Sequence, residues 1–214
     1  MSFVLSKDEM DLVNLTIIKE MAVNQRYLVK NAASRMGRDL KIYLHWTAGR
    51  YSQFWDDYHI QVDYDGRLYI PKGVEFFTTL PATWQRNTGS VSITALCGYT
   101  SNSNSLGSEA ITGTQIEGIA KVIAVLASGF NVPIDKKHVL THGEAADNED
   151  EYIHENYGPK SDCTRWDLEY LGTSESPKFN PWATDGSRGG DVLRGKANWY
   201  KNFYPDGVEN HFVY

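Results

Sequence analysis

Hydrophobic and polar positions fall into blocks of two kinds along the chain. Runs of four to nine residues with β-branched and aromatic character occur at Lys41–His45 (KIYLH), Tyr58–Asp63 (YHIQVD), Arg67–Ile70 (RLYI), Ser90–Gly98 (SVSITALCG) and Val139–His142 (VLTH). Turn-forming residues bound them, so each reads as a strand. The pair around Asp65-Gly66 reads as a β-hairpin. Helical spacing appears twice. Ser6 and Glu9 stand at capping-box separation before Leu12, Leu15, Ile18 and Met21, and Thr112 and Gln115 do the same before Ile116, Ile119, Ile123 and Phe130. The second helix should stop before Pro133.

Strands alternating with helices predict an α/β fold with a mixed central sheet flanked by helices. The expected organisation is an N-terminal helical extension over residues 1–38, a catalytic domain over 39–172 and an irregular C-terminal extension over 173–214. The last stretch is rich in Gly, Pro and Asp and shows little periodicity. No internal repeat is present.

Composition narrows the partners. With 214 residues, 41% of them hydrophobic, the chain can bury a full core. A net charge of −6 and no Lys/Arg cluster argue against a nucleic-acid partner. No apolar run approaches membrane-spanning length, and acidic residues near the start stand where a signal peptide needs apolar ones. No membrane association and no export signal are therefore expected; the oligomeric state is left open, with a monomer favoured. The two cysteines, Cys97 in an apolar strand and Cys163 in a polar loop, are too unlike in setting for a disulfide framework.

Two strands end in histidine, His45 and His142, and a polar loop some twenty residues later offers Asp162 and Cys163. Two imidazoles with one thiolate or carboxylate, leaving a fourth position open, make the ligand set of catalytic zinc. Such a metal activates water and polarises an amide carbonyl.

The segments IYLHWTAG (42–49), YHIQVDYDG (58–66), NTGSVSITALCG (87–98), VLTHGEA (139–145) and CTRWDL (163–168) occur in the order found in the zinc N-acetylmuramoyl-L-alanine amidases. That family includes amidase-type phage lysozymes and the peptidoglycan recognition proteins. The chain resembles it over about residues 40 to 170. The resemblance implies a single Zn2+ per chain, peptidoglycan or its muropeptides as substrate, and cleavage of the amide between the lactyl group of N-acetylmuramic acid and L-alanine.

It implies that His45 and His142 are zinc ligands. For the third it implies Cys163, four residues before Asp167, with Asp162 as the rival; Cys163 is favoured because a thiolate binds zinc more strongly than a carboxylate. Tyr58 is expected beside the metal, donating to the oxyanion; Lys160 stands two residues before Asp162, where the family often has a catalytic lysine, and with Cys163 as the ligand that position holds Ser161. Asp167 is read as a structural acceptor. Many cytosolic relatives carry a glutamate where this chain has Thr94, which removes the obvious general base. Together with the phage-like segments RGGDVLRG and KANWY, to which no chemical role attaches, this favours a wall-lytic, endolysin-like role after release or delivery. A non-catalytic peptidoglycan-binding module of the same fold is the alternative.

His59 is read as structural, Glu144 as a cap or ligand support, and His138, His154 and His211 as solvated. Cys97 is read as a small buried hydrophobe. Trp46, Trp84 and Trp166 are candidates to line a groove.

Overall fold

A computed structural model describes residues 2–152 and 157–203. Its centre is a six-stranded mixed sheet. The strands are β2 (Met10–Val13), β3 (Lys41–Trp46), β5 (Ile60–Val62), β6 (Leu68–Pro71), β7 (Ser90–Ala95) and β8 (Val139–Thr141), in the spatial order β2-β6-β5-β7-β3-β8. β2, β6 and β5 pair antiparallel, whereas β5, β7, β3 and β8 run parallel. A small two-stranded sheet joins β1 (Val4–Leu5) to β4 (Phe54–Trp55). The expected mixed α/β architecture is the one observed.

Alternation along the strands gives the sheet two unlike faces. Ile42, Leu44, Ile60, Val62, Val91, Ile93, Ala95 and Val139 join one large apolar cluster. Their neighbours Lys41, Tyr43, His45, Gln61, Ser90, Ser92 and Thr94 are equally buried but mostly polar. α2 (Gly113–Phe130) packs on β5 and β7 and is flanked by α1 (Leu15–Arg35) and α4 (Gly189–Phe203). Ile116, Ile119, Ile123 and Phe130 of α2 are all at most 2% exposed. Each such side chain contributes about 1.5–3 kcal/mol on burial.

The capping box at Thr112 and Gln115 forms as expected, and Asn131, in left-handed conformation at φ 53°, ends α2 before Pro133. At the β5–β6 turn Gly66 adopts φ 84°, a conformation that glycine reaches without a Cβ clash.

Two expectations about the ends of the chain change. Glu9 does bond the Ser6 N–H at 2.8 Å, but this closes only a single 3-10 turn over Lys7–Glu9. Met10–Val13 then pairs with β6 as an edge strand, and α1 starts at Leu15, with the Asn14 side chain accepting the Ile17 N–H at 3.0 Å. The C-terminal stretch, expected to be irregular, contains α4, whose Leu193, Ala197 and Tyr200 enter the main core. Residues on both sides of the 39–172 segment thus share its apolar cluster.

Candidate metal centre

The polar face of the sheet gathers the chemistry. His45 lies near the end of β3, level with Thr94 of β7. His142 follows β8 directly and is the first residue of the short helix α3 (His142–Ala146). The capping box is Thr141 with Glu144: Thr141 Oγ1 accepts the Glu144 N–H at 3.1 Å, and the Glu144 carboxylate accepts the Thr141 N–H at 2.9 Å. This fixes the strand-to-helix turn that aims His142. Asp167 arrives from the loop after α3.

His45, His142 and Asp167 form a buried group whose ligand atoms could hold a metal ion. The two Nδ1 atoms are 3.1 Å apart, and Asp167 Oδ2 lies 3.7 Å from that of His45 and 3.5 Å from that of His142. Ligands about 2.0–2.1 Å from a tetrahedral zinc stand roughly 3.3 Å from one another, so the triangle has the right dimensions. Thr83 Oγ1 meets Nε2 of His45 at 3.1 Å, and Nδ1 is the ring nitrogen on the side of His142 and Asp167. His142 Nε2 is buried without a hydrogen-bond partner among the described residues.

Electrostatics fit the same use. Burial takes His45 down to about 4, against a weaker upward pull from Asp167, so the imidazole stays neutral as a ligand requires. Burial alone would raise Asp167, but His142 and His45 hold its carboxyl far below the usual range. The acid is therefore a carboxylate.

His142 and Asp167 line a cleft of about 450 Å³ together with Trp46, Trp55, Asp57, Tyr58, Arg165 and Trp166, and His45 lies enclosed behind them. Trp46 and Trp166 meet edge to face, with centroids 4.7 Å apart. The Tyr58 ring lies 5.3 Å from that of His45. Burial, then the charges of Asp167 and Asp57, raise its phenol, which therefore remains a donor.

Of the residues singled out from sequence, the structure brings together His45, His142 and Tyr58. Cys163 is outside the group. It takes φ 59° at the end of a turn in which its N–H bonds the Gly158 carbonyl at 3.0 Å, and burial with Asp147, Asp162 and Glu169 nearby raises its thiol. Asp162 is exposed and accepts the Thr164 N–H at 2.9 Å. The acid that joins the histidines is Asp167, which sequence reading assigned to structure. Lys160 does not line the cleft; its Nζ pairs with Glu149 at 2.7 Å.

His59 is enclosed, with Nδ1 on Ser92 and Nε2 donating to the Thr78 carbonyl at 2.9 Å. Glu144 caps α3 and pairs with Arg194. His138 is not simply solvated: it meets Asp135 at 2.7 Å. Cys97 is fully buried. Trp84 is exposed and away from the cleft lining, whereas Trp55, not singled out from sequence, lines it. His154 and His211 lie outside the described residues.

Fold and site together define a mixed α/β domain with a buried His-His-Asp group on the polar face of its sheet. No protein-family model matches the chain, and no curated protein does. Among solved structures it is similar to an endolysin N-acetylmuramoyl-L-alanine amidase from Clostridium intestinale URNW. The TM-score is 0.37 and the identity 14%, over 59% of this chain and 81% of that one. A second amidase of that organism gives the same score and identity over 59% and 83%. An endolysin of a Thermus scotoductus bacteriophage gives 0.35 and 18% over 53% and 73%. At such identities the likeness concerns the backbone alone.

Proposed function

We propose that this chain is a zinc-dependent amidase that cleaves the bond between the lactyl group of N-acetylmuramic acid and L-alanine in peptidoglycan. The observation that carries the reading is the convergence of His45 Nδ1, His142 Nδ1 and Asp167 Oδ2 within 3.1–3.7 Å, beside a cleft that His142 and Asp167 line. These are borderline and hard donors in the count that leaves zinc an open position. The motif order across residues 42–168 supplies the substrate class.

In this reading His45, His142 and Asp167 hold the metal. Zinc, when bound, supplies Lewis-acid activation of water and of the scissile carbonyl. Tyr58, kept protonated by burial, donates a hydrogen bond to the oxygen that gains charge in the transition state. Trp46 and Trp166 wall the cleft and limit water around the reacting amide. With Thr94 carrying no titratable group, Asp57 is the carboxylate left for proton transfer among the described residues of the cleft. The role is wall lysis, exerted after release or delivery to the wall. Among the described residues no helix is long and apolar enough to cross a membrane.

The test is mass spectrometry of purified muropeptides incubated with the protein, with chelator, and with zinc restored. Release of the intact stem peptide bearing a free L-alanine amine, lost with chelator and regained with zinc, is expected. Intact muropeptides that co-sediment with the protein would replace catalysis by binding. Muropeptides that neither react nor bind would remove the substrate assignment.

A further inference from the structure

The segment RGGDVLRG, residues 188–195, supplies none of the three ligand atoms, yet both of its arginines are buried at 3% and 5% exposure. Arg194 forks onto the Glu144 carboxylate, both bonds 2.7 Å, and donates to the Val139 carbonyl at 2.9 Å. It therefore grips the chain three residues before His142 and two residues after it. Arg188 forks onto Glu169, two residues after Asp167, at 2.7 and 2.9 Å. The Gly189 N–H adds a bond to the Glu169 carbonyl at 2.8 Å.

The two glycines between the arginines permit this approach. A Cβ on Gly190 would lie 2.6 Å from a Glu144 carboxylate oxygen, and one on Gly189 would lie 2.0 Å from the Leu168 carbonyl. The loop carrying Asp167 needs an outside anchor, because among the described residues it has no regular element of its own and it places Cys163 and Leu168 at positive φ. Forked arginine–carboxylate pairs fix orientation as well as distance.

We infer that Arg188 and Arg194 are positioning residues that set the placement of His142 against Asp167, so that the C-terminal segment completes the metal centre. This rests on the zinc reading only in calling the group a metal centre; the positioning itself is measurable without metal.

The experiment compares the native full chain with Arg194→Met, Arg188→Met, the corresponding lysine variants, Gly190→Ala and, as a core control, Ile123→Ala. Zinc affinity is read by competition with a chromophoric chelator. Imidazole NMR signals are read in the metal-free protein. Each methionine variant is expected to weaken zinc by about 10–100-fold, the usual effect of losing a partner behind a ligand, with lysine intermediate. Arg194→Met should move the His142 imidazole signals, while Ile123→Ala, though less stable, keeps native affinity and signals. Methionine variants with native affinity and unmoved signals overturn the inference. If they do not fold, Gly190→Ala, which keeps both arginines but presses a methyl onto Glu144, must show the same losses; a folded Gly190→Ala with native affinity and signals overturns it equally. Should the native chain take up no zinc, the metal reading falls, and the imidazole comparison still decides the positioning.

Discussion

His45 and His59 are both fully buried, and burial takes each down to about 4. Their surroundings differ in one respect. Around His59 both ring nitrogens are matched: Nδ1 accepts the Ser92 N–H at 3.1 Å, and Nε2 donates to the Thr78 carbonyl at 2.9 Å. Around His45 Nε2 meets Thr83, while Nδ1 faces a second imidazole nitrogen at 3.1 Å and a carboxylate oxygen at 3.7 Å. Burial and a lowered pKa are common to a structural histidine and a chemical one. Ligand atoms from three side chains converging on one point mark the second kind.

The comparison breaks most visibly if the converging atoms are removed. Asp167→Ala and His142→Ala are each expected to lower zinc affinity by more than the roughly 100-fold that loss of an outer partner can cost, and to abolish muropeptide cleavage. Cys163→Ser should keep both. Equilibrium dialysis with zinc analysis gives the ranking. A Cys163→Ser protein that loses its zinc while Asp167→Ala keeps it would return the third ligand to the cysteine.

The grouping of His45, His142 and Asp167 also shows where sequence reading reached its limit. His45 and His142 were legible because each ends a short apolar run, and strand ends are fixed by local pattern. The hairpin at Gly66 and the start of α2 at Thr112 were legible for the same reason. Asp167 was not, because long-range pairs, Arg188 with Glu169 and His45 with Asp167, hold its loop, and pairs across 19 and 122 positions leave no period. The Ser6–Glu9 capping signal was real but closed one turn, since Met10–Val13 gains more by pairing with β6. Gly189-Gly190 lies in the stretch expected to be irregular; in the fold it opens α4 and lets it approach Glu144 and Leu168.

The next largest effect sharpens what surrounds His45. Tyr58→Phe removes a phenol while keeping the ring that packs 5.3 Å from His45. If the phenol donates to the developing oxyanion, turnover should fall by about 10²–10³, or roughly 2.7–4 kcal/mol of transition-state stabilisation. Zinc content and KM should change little, because the hydroxyl is no ligand. Steady-state kinetics on a defined muropeptide checks this, and an unchanged kcat would take Tyr58 out of the chemistry.

The smallest effect tests the His59 side and concerns stability with pH. In the unfolded chain His59 takes up a proton near the ordinary histidine value of about 6.5; in the folded protein burial delays this to about 4. Between those values the unfolded state binds the additional proton, so the contribution is fully present above about 6.5 and is lost as pH falls toward 4. At about 1.4 kcal/mol per pH unit, the loss reaches on the order of 3 kcal/mol at the acid end. His59→Gln can still donate to Thr78 and accept from Ser92 but does not titrate. Denaturant unfolding of the metal-free protein at pH 7 and 4.5 should find this variant less stable than native at neutral pH, with a shallower decline in acid. His45, titrating in the same window, contributes its slope to both proteins and cancels. An equal decline would mean that His59 meets water or a proton more freely than its enclosure between Ser92 and Thr78 allows, and the two histidines would then not differ in the way their partners indicate.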